Sequence, residues 1–141
     1  MEVTSNTKQL TYPQEMVYNV LSNPRKLEEM LAKLPEEKKN LKGNVQFGDD
    51  SITMDVPSAG EITLNITERE KPKTIKFEAT IVMVTGNLWI NILPATETTS
   101  NMELIIKADI PFFMKGMVAK PLQDGINKVA DMLASLPYDK F

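Results

Sequence analysis

From Ser51 to Lys107 the chain alternates apolar and polar residues with a period of two, stretch after stretch. Ile52, Met54 and Val56 are followed by Ile62, Leu64 and Ile66, then by Ile75, Phe77 and Ala79, by Leu88, Ile90 and Ile92, and by Met102, Leu104 and Ile106. Successive side chains of a strand point to opposite faces, so this pattern buries one face of a sheet and leaves the other in water. The breaks at Gly48-Asp49-Asp50, Ser58-Ala59-Gly60, Glu70-Lys71-Pro72-Lys73, Thr85-Gly86 and 94–100 carry turn residues and are short enough for hairpins. Six strands here and a first strand over residues 3–10 predict an antiparallel meander of seven.

A sheet with one apolar face needs a cover, and the C-terminal segment is built to be one. From Phe112 to Leu136 the period becomes helical, with Phe113, Met117, Val118, Leu122, Ile126, Val129, Leu133 and Leu136 as a long apolar stripe. Pro121 is expected to kink or split this helix, and Gly116 and Gly125 to loosen it. Two short helices are expected between the first strand and the meander. Thr11-Tyr12-Pro13-Gln14 has the form of a helix start with a Thr-x-x-Gln capping pattern, and Asn23 is placed to cap the second helix. The order is strand, two short helices, six strands, long helix: an α+β fold in which a curved sheet wraps a C-terminal helix. Residues 1–141 are expected to form one domain that buries roughly 68% of its surface on folding.

Composition narrows the chemistry. The chain has no histidine and no cysteine. Thiolate and imidazole catalysis, structural zinc and iron–sulfur ligation are therefore excluded, as are disulfides. The net charge of −3 offers no broad basic footprint for nucleic acid. No signal-like segment is visible after Met1, and the longest aliphatic run, Ile81 to Val84, is far short of the ~20 residues of a membrane span. A cytoplasmic protein without stable membrane insertion is expected.

The stretch from Tyr12 to Pro24, Tyr-Pro-Gln-Glu-Met-Val-Tyr-Asn-Val-Leu-Ser-Asn-Pro, resembles the strand-to-helix entry of the START-like, or helix-grip, superfamily, which includes Bet v 1-type and polyketide cyclase-type proteins. Ile66-Thr67-Glu68-Arg69-Glu70-Lys71-Pro72, and Leu88-Trp89-Ile90 through Leu93-Pro94, extend the resemblance over the whole chain. It implies a cavity between sheet and helix. The superfamily has no universal catalytic motif, so no catalytic residue is carried over.

The candidate ligand pocket is drawn from the inward positions: Met54, Leu64, Phe77, Met83, Ile90, Met102 and Leu104 on the sheet, and Phe113 and Met117 on the helix. Nine methionines suit a pocket of irregular shape, although each also fits an ordinary core. Glu61, Glu78 and Glu103 fall on the polar face, and periodicity places no acid or base inside the sheet. Asp49-Asp50 reads as a hairpin turn rather than a metal site, and no cofactor is expected. On the polar face, a hairpin at Thr85-Gly86 would set Val82 opposite Trp89, with Ile105 on its other side. Val82, Trp89 and Ile105 are thus a candidate homodimer or partner interface.

The reading favoured is binding of a hydrophobic or amphipathic small molecule, lipid-, polyketide- or isoprenoid-like, between sheet and helix. The resemblance also implies two alternatives. One is a cyclase, dehydratase or isomerase using the same cavity. The other is a protein-interaction module or dimer without ligand, like the superfamily's chaperone regulators.

Overall fold

The computed structural model describes residues 2–32, 45–56, 60–81 and 84–140. The N-terminal segment forms strands β1 (Glu2–Thr4) and β2 (Lys8–Leu10), then helices α1 (Gln14–Leu21) and α2 (Pro24–Ala32). The meander comprises β3 (Val45–Phe47), β4 (Ser51–Val56), β5 (Gly60–Glu70), β6 (Thr74–Ile81), β7 (Val84–Pro94) and β8 (Ser100–Ala108). A 3-10 turn at Phe112–Met114 leads into α3 (Lys115–Ala134), and a second at Tyr138–Lys140 follows it.

The strands form one open antiparallel sheet in the order β1-β8-β7-β6-β5-β4-β3, with β2 also paired to β8. Eight strands replace the expected seven because the N-terminal strand is broken. Thr4 pairs with Ile105 and Lys8 with Met102, so the N-terminal side advances one residue more than β8. Ser5 bridges the break: its N–H donates to the Leu104 carbonyl at 2.8 Å, and its Oγ accepts from the Leu104 N–H at 2.9 Å. The hydroxyl thus stands in for a backbone carbonyl, and the extra residue lets both Val3 and Leu10 face the core.

The β6–β7 hairpin turns earlier in the chain than expected. Ile81 pairs with Val84, so Thr85 and Gly86 are strand residues opposite Thr80 and Ala79. The glycine serves close approach rather than a turn. A Cβ at Gly86 would lie 2.6 Å from the Lys107 carbonyl oxygen and 3.0 Å from the Ala108 Cα, both backbone atoms of the neighbouring strand. Gly86→Ala is expected to lower stability by about 1–3 kcal/mol, seen as an earlier urea midpoint. An unchanged midpoint would mean that β7 and β8 separate there without cost.

Two expectations about the helices are corrected. The Thr11–Gln14 capping box does not form. Pro13 caps α1 without a side-chain bond, and the Gln14 amide donates instead to the Ile92 carbonyl at 2.7 Å, tying α1 to the sheet. Nor does Pro121 split α3, which runs unbroken over 20 residues. Proline removes the donor for the Met117 carbonyl, but Met117 lies on an exposed stretch where water can serve that oxygen. Asn23 does cap α2, accepting from the Arg25 N–H at 3.1 Å.

Candidate functional site

The core is closed at one end of the sheet and open at the other. At the closed end α1 packs on β6, on β7 and on the C-terminal 3-10 turn. Here Ile75, Ile92 and Met102 are fully buried, and Phe77, Ile90 and Leu104 nearly so. Tyr138 completes the closure, with its ring 5.6 Å from Tyr12 and edge-on to it.

Toward the other end exposure rises along β6, β7 and β8. On β7 it climbs from 0% at Ile92 through 4% at Ile90 to 8% at Leu88, and Gly86 beyond is half-buried. On β8, Met102 and Leu104 are buried while Ile106 and Ala108 are half-buried. On β5, Ile62 and Leu64 are half-buried. The cause lies in how α3 crosses the sheet. It packs through Ile126, Ala130 and Leu133, against β1, β2 and β8, whereas its first turns are exposed.

At this end the inward side chains Ile62, Leu64 and Ile106 of the sheet and Leu122 of α3 are partly exposed, with Ala79 and Leu88 buried among the inward positions of β6 and β7. None of these side chains carries a polar atom, so none can donate, accept or titrate. Such a surface can bind by excluding water and by shape, with no directional bond of its own.

Of the residues chosen from sequence, Leu64 lies on this open surface. Phe77, Ile90, Met102 and Leu104 line the same concave face nearer its closed end, where they are buried. Phe113 and Met117 are 80% and 74% exposed. With 3.6 residues per turn, Met117 projects opposite the Leu122–Ile126–Ala130–Leu133 stripe, so the structure does not bring the pair to the concave face. Met83 lies outside the described residues, and of the Met54 side chain nothing is described. Ile62, Ile106 and Leu122 were legible as inward positions, but only the tilt of α3 singles them out from the rest of the core.

On the outer face, Trp89 pairs with Ile105 on β8 as expected, but with Lys76 rather than Val82 on β6. The earlier hairpin shifts the register, and Val82 itself lies outside the described residues. The Lys76 and Lys107 ammonium groups stand 5.4 and 5.6 Å from the Trp89 ring, so lysine stems flank a half-buried indole.

Two polar recesses mark the surface. The larger, about 500 Å³, is bounded by Asn19, Ser22, Arg25, Asp49, Asp50 and Arg69 among others. Its charges answer one another: Arg69 Nη2 lies 2.5 Å from Asp50, Arg25 Nε lies 3.3 Å from Asp49, and Arg69 Nε donates to the Ser22 carbonyl. This cluster ties the α1–α2 junction to the β3–β4 turn and to β5. The smaller recess lies between Glu78, Asn87, Lys107 and Asp109.

No protein-family model matches the chain, and no curated protein matches it. Solved structures do. Norcoclaurine synthase from Thalictrum flavum, in complex with dopamine and hydroxybenzaldehyde, superposes with a TM-score of 0.73 at 13% identity, covering 95% of this chain and 84% of that one. A START superfamily protein from Mycobacterium smegmatis gives 0.62 at 11% identity, covering 94% of each chain. An HSP90 activator from Plasmodium falciparum gives 0.55 at 14% identity, over 79% of this chain and 74% of that one. At these identities the likeness concerns the fold: the chain has the helix-grip architecture of Bet v 1-like and START-like proteins.

Proposed function

We propose that this chain binds a hydrophobic or amphipathic small molecule, lipid-, polyketide- or isoprenoid-like, on the concave face between sheet and α3. The observation that carries the reading is the one-ended rise in exposure across that face. Here Ile62, Leu64, Ile106 and Leu122 stay partly open, whereas Ile75, Ile92 and Met102 toward the opposite end are fully buried. Apolar surface left open inside a fold is favourable to cover, at about 25 cal/mol per Å² removed from water. A ligand of matching shape covers it. That a protein of the same fold is solved with two small aromatic molecules supports the reading. Catalysis by proton transfer would need an acid or base at the reacting atoms, and Ile62, Leu64, Ala79, Leu88, Ile106 and Leu122 carry none.

Native mass spectrometry of protein purified gently from its own cells tests the proposal. The expected result is a reproducible mass excess that denaturation releases and organic solvent extracts. A bare mass, together with no fluorescence gain on adding the neutral dye N-phenylnaphthylamine, would overturn it.

A further inference from the structure

We infer that Phe112, Phe113 and Met117, with Lys115 and Lys120, form a face that docks on the surface of an anionic lipid bilayer. Phe112 is 88% exposed, Phe113 80% and Met117 74%, the largest exposures of any large hydrophobic residue described. They stand within six positions of one another, on the 3-10 turn and the first turn of α3. Met117 and Lys120 project away from the buried stripe of that helix. No inward rotation of side chains at the present helix position would therefore bury Met117 in the protein.

Charge identifies the occupant. The chain as a whole carries −3, yet from Ile110 to Gln123 it has two lysines and no acid, with Asp109 and Asp124 bounding the segment. Lys115 Nζ sits 6.0 Å from the Phe112 ring, so cation and aromatic share one edge. Aromatic and thioether groups beside lysines suit an interfacial depth: the apolar parts enter the acyl boundary and the ammonium groups meet lipid phosphates. A second copy of the chain is the weaker fit. Three side chains of this kind offer roughly 500 Å² at most, below the ~800 Å² per partner of a stable protein interface. A bilayer needs no such area, because the wedge is held from all sides and the lysines add long-range attraction.

Flotation with vesicles tests this, using phosphatidylcholine alone or mixed with a minority of phosphatidylglycerol. The intact protein is expected to float with the anionic vesicles and not with the neutral ones, and to be released by salt. Replacing Phe112→Ala and Phe113→Ala together should weaken partition at least about tenfold. Lys115→Gln and Lys120→Gln together should weaken it about thirtyfold, near fivefold for each lysine. All four side chains are exposed, so the thermal midpoint should hold in both variants. Failure to float, equal flotation with neutral vesicles, or variants that float like the parent would each overturn the inference. So would a dimer in sedimentation that the phenylalanine variant abolishes, which would assign the face to a second copy. The readout needs no bound ligand, so its failure leaves the pocket reading standing, and the reverse also holds.

Discussion

Replacing Tyr138 with alanine is expected to lower the free energy of unfolding by about 3–5 kcal/mol, a large part of the ~5–15 kcal/mol typical of a whole domain. The ring is fully buried and lies edge-on to Tyr12. Its hydroxyl donates to the Leu133 carbonyl at 2.6 Å. Leu133 is in the last turn of α3, where carbonyls have no partner within the helix. One side chain therefore fills the closed end, caps α3 and holds it against α1. Alanine would remove all three contacts, and urea denaturation would show the loss. Tyr138→Phe keeps the ring and should cost only about 1 kcal/mol. Equal losses for the two variants would show that the hydroxyl, not the packing, dominates.

The same residue sets an alkaline limit. Burial pushes the Tyr138 phenol far above its ordinary value. The unfolded chain releases that proton first, so above about pH 10 the unfolded state binds fewer protons and stability falls as pH rises. Below that pH the contribution is complete. Tyr138→Phe should flatten this part of the profile.

The second large effect concerns the open end. Ile106→Asp is expected to weaken binding of N-phenylnaphthylamine by at least about 100-fold, from the lost apolar contact and the cost of covering a carboxylate with an apolar molecule. Ile106 is half-buried, so the fold can hydrate the new group when no ligand is present. A ligand that covers it raises its pKa, so acidification should restore part of the affinity. Glu103→Gln, on the outer face of the same strand, should leave dye binding unchanged. If Ile106→Asp binds like the parent, the ligand does not reach this end of the sheet.

Most of the architecture could be read from the alternation, because a period of two reports which way each side chain points. Ile62, Leu64 and Ile106 were all legible as inward residues on that ground. The site was less legible, because inward does not distinguish filled from open. That distinction depends on where α3 crosses the sheet, which contacts distant in sequence decide. Phe113 and Met117 show the limit from the other side. They fit a broad apolar stripe, yet a stripe that includes Met117, Val118 and Leu122 spans well over a third of the helix circumference. Periodicity alone could not choose its buried half. At Trp89 a glycine misled: Thr85-Gly86 has turn composition, but Gly86 is there because Lys107 and Ala108 leave no room for a side chain.

The irregularity in β5 bears on which genetic changes this fold can absorb. Ile66 pairs with Phe77, but Glu68 pairs with Lys76, so Thr67 is an extra residue in the ladder. Before it, the even-numbered residues Ile62, Leu64 and Ile66 face inward. After it, Arg69 lies opposite the buried Ile75, and Glu68 and Glu70 lie opposite Lys76 and Thr74. With Thr67 deleted, Glu68 would follow Ile66 directly, the ladder would run without a bulge, and Glu68, Arg69 and Glu70 would keep the cross-strand partners they have now. For this strand the place of a lost residue thus matters as much as its identity. A codon lost at Thr67 is one this strand can absorb, whereas one lost between Ile62 and Ile66 would turn the residues on one side of the loss to the opposite face.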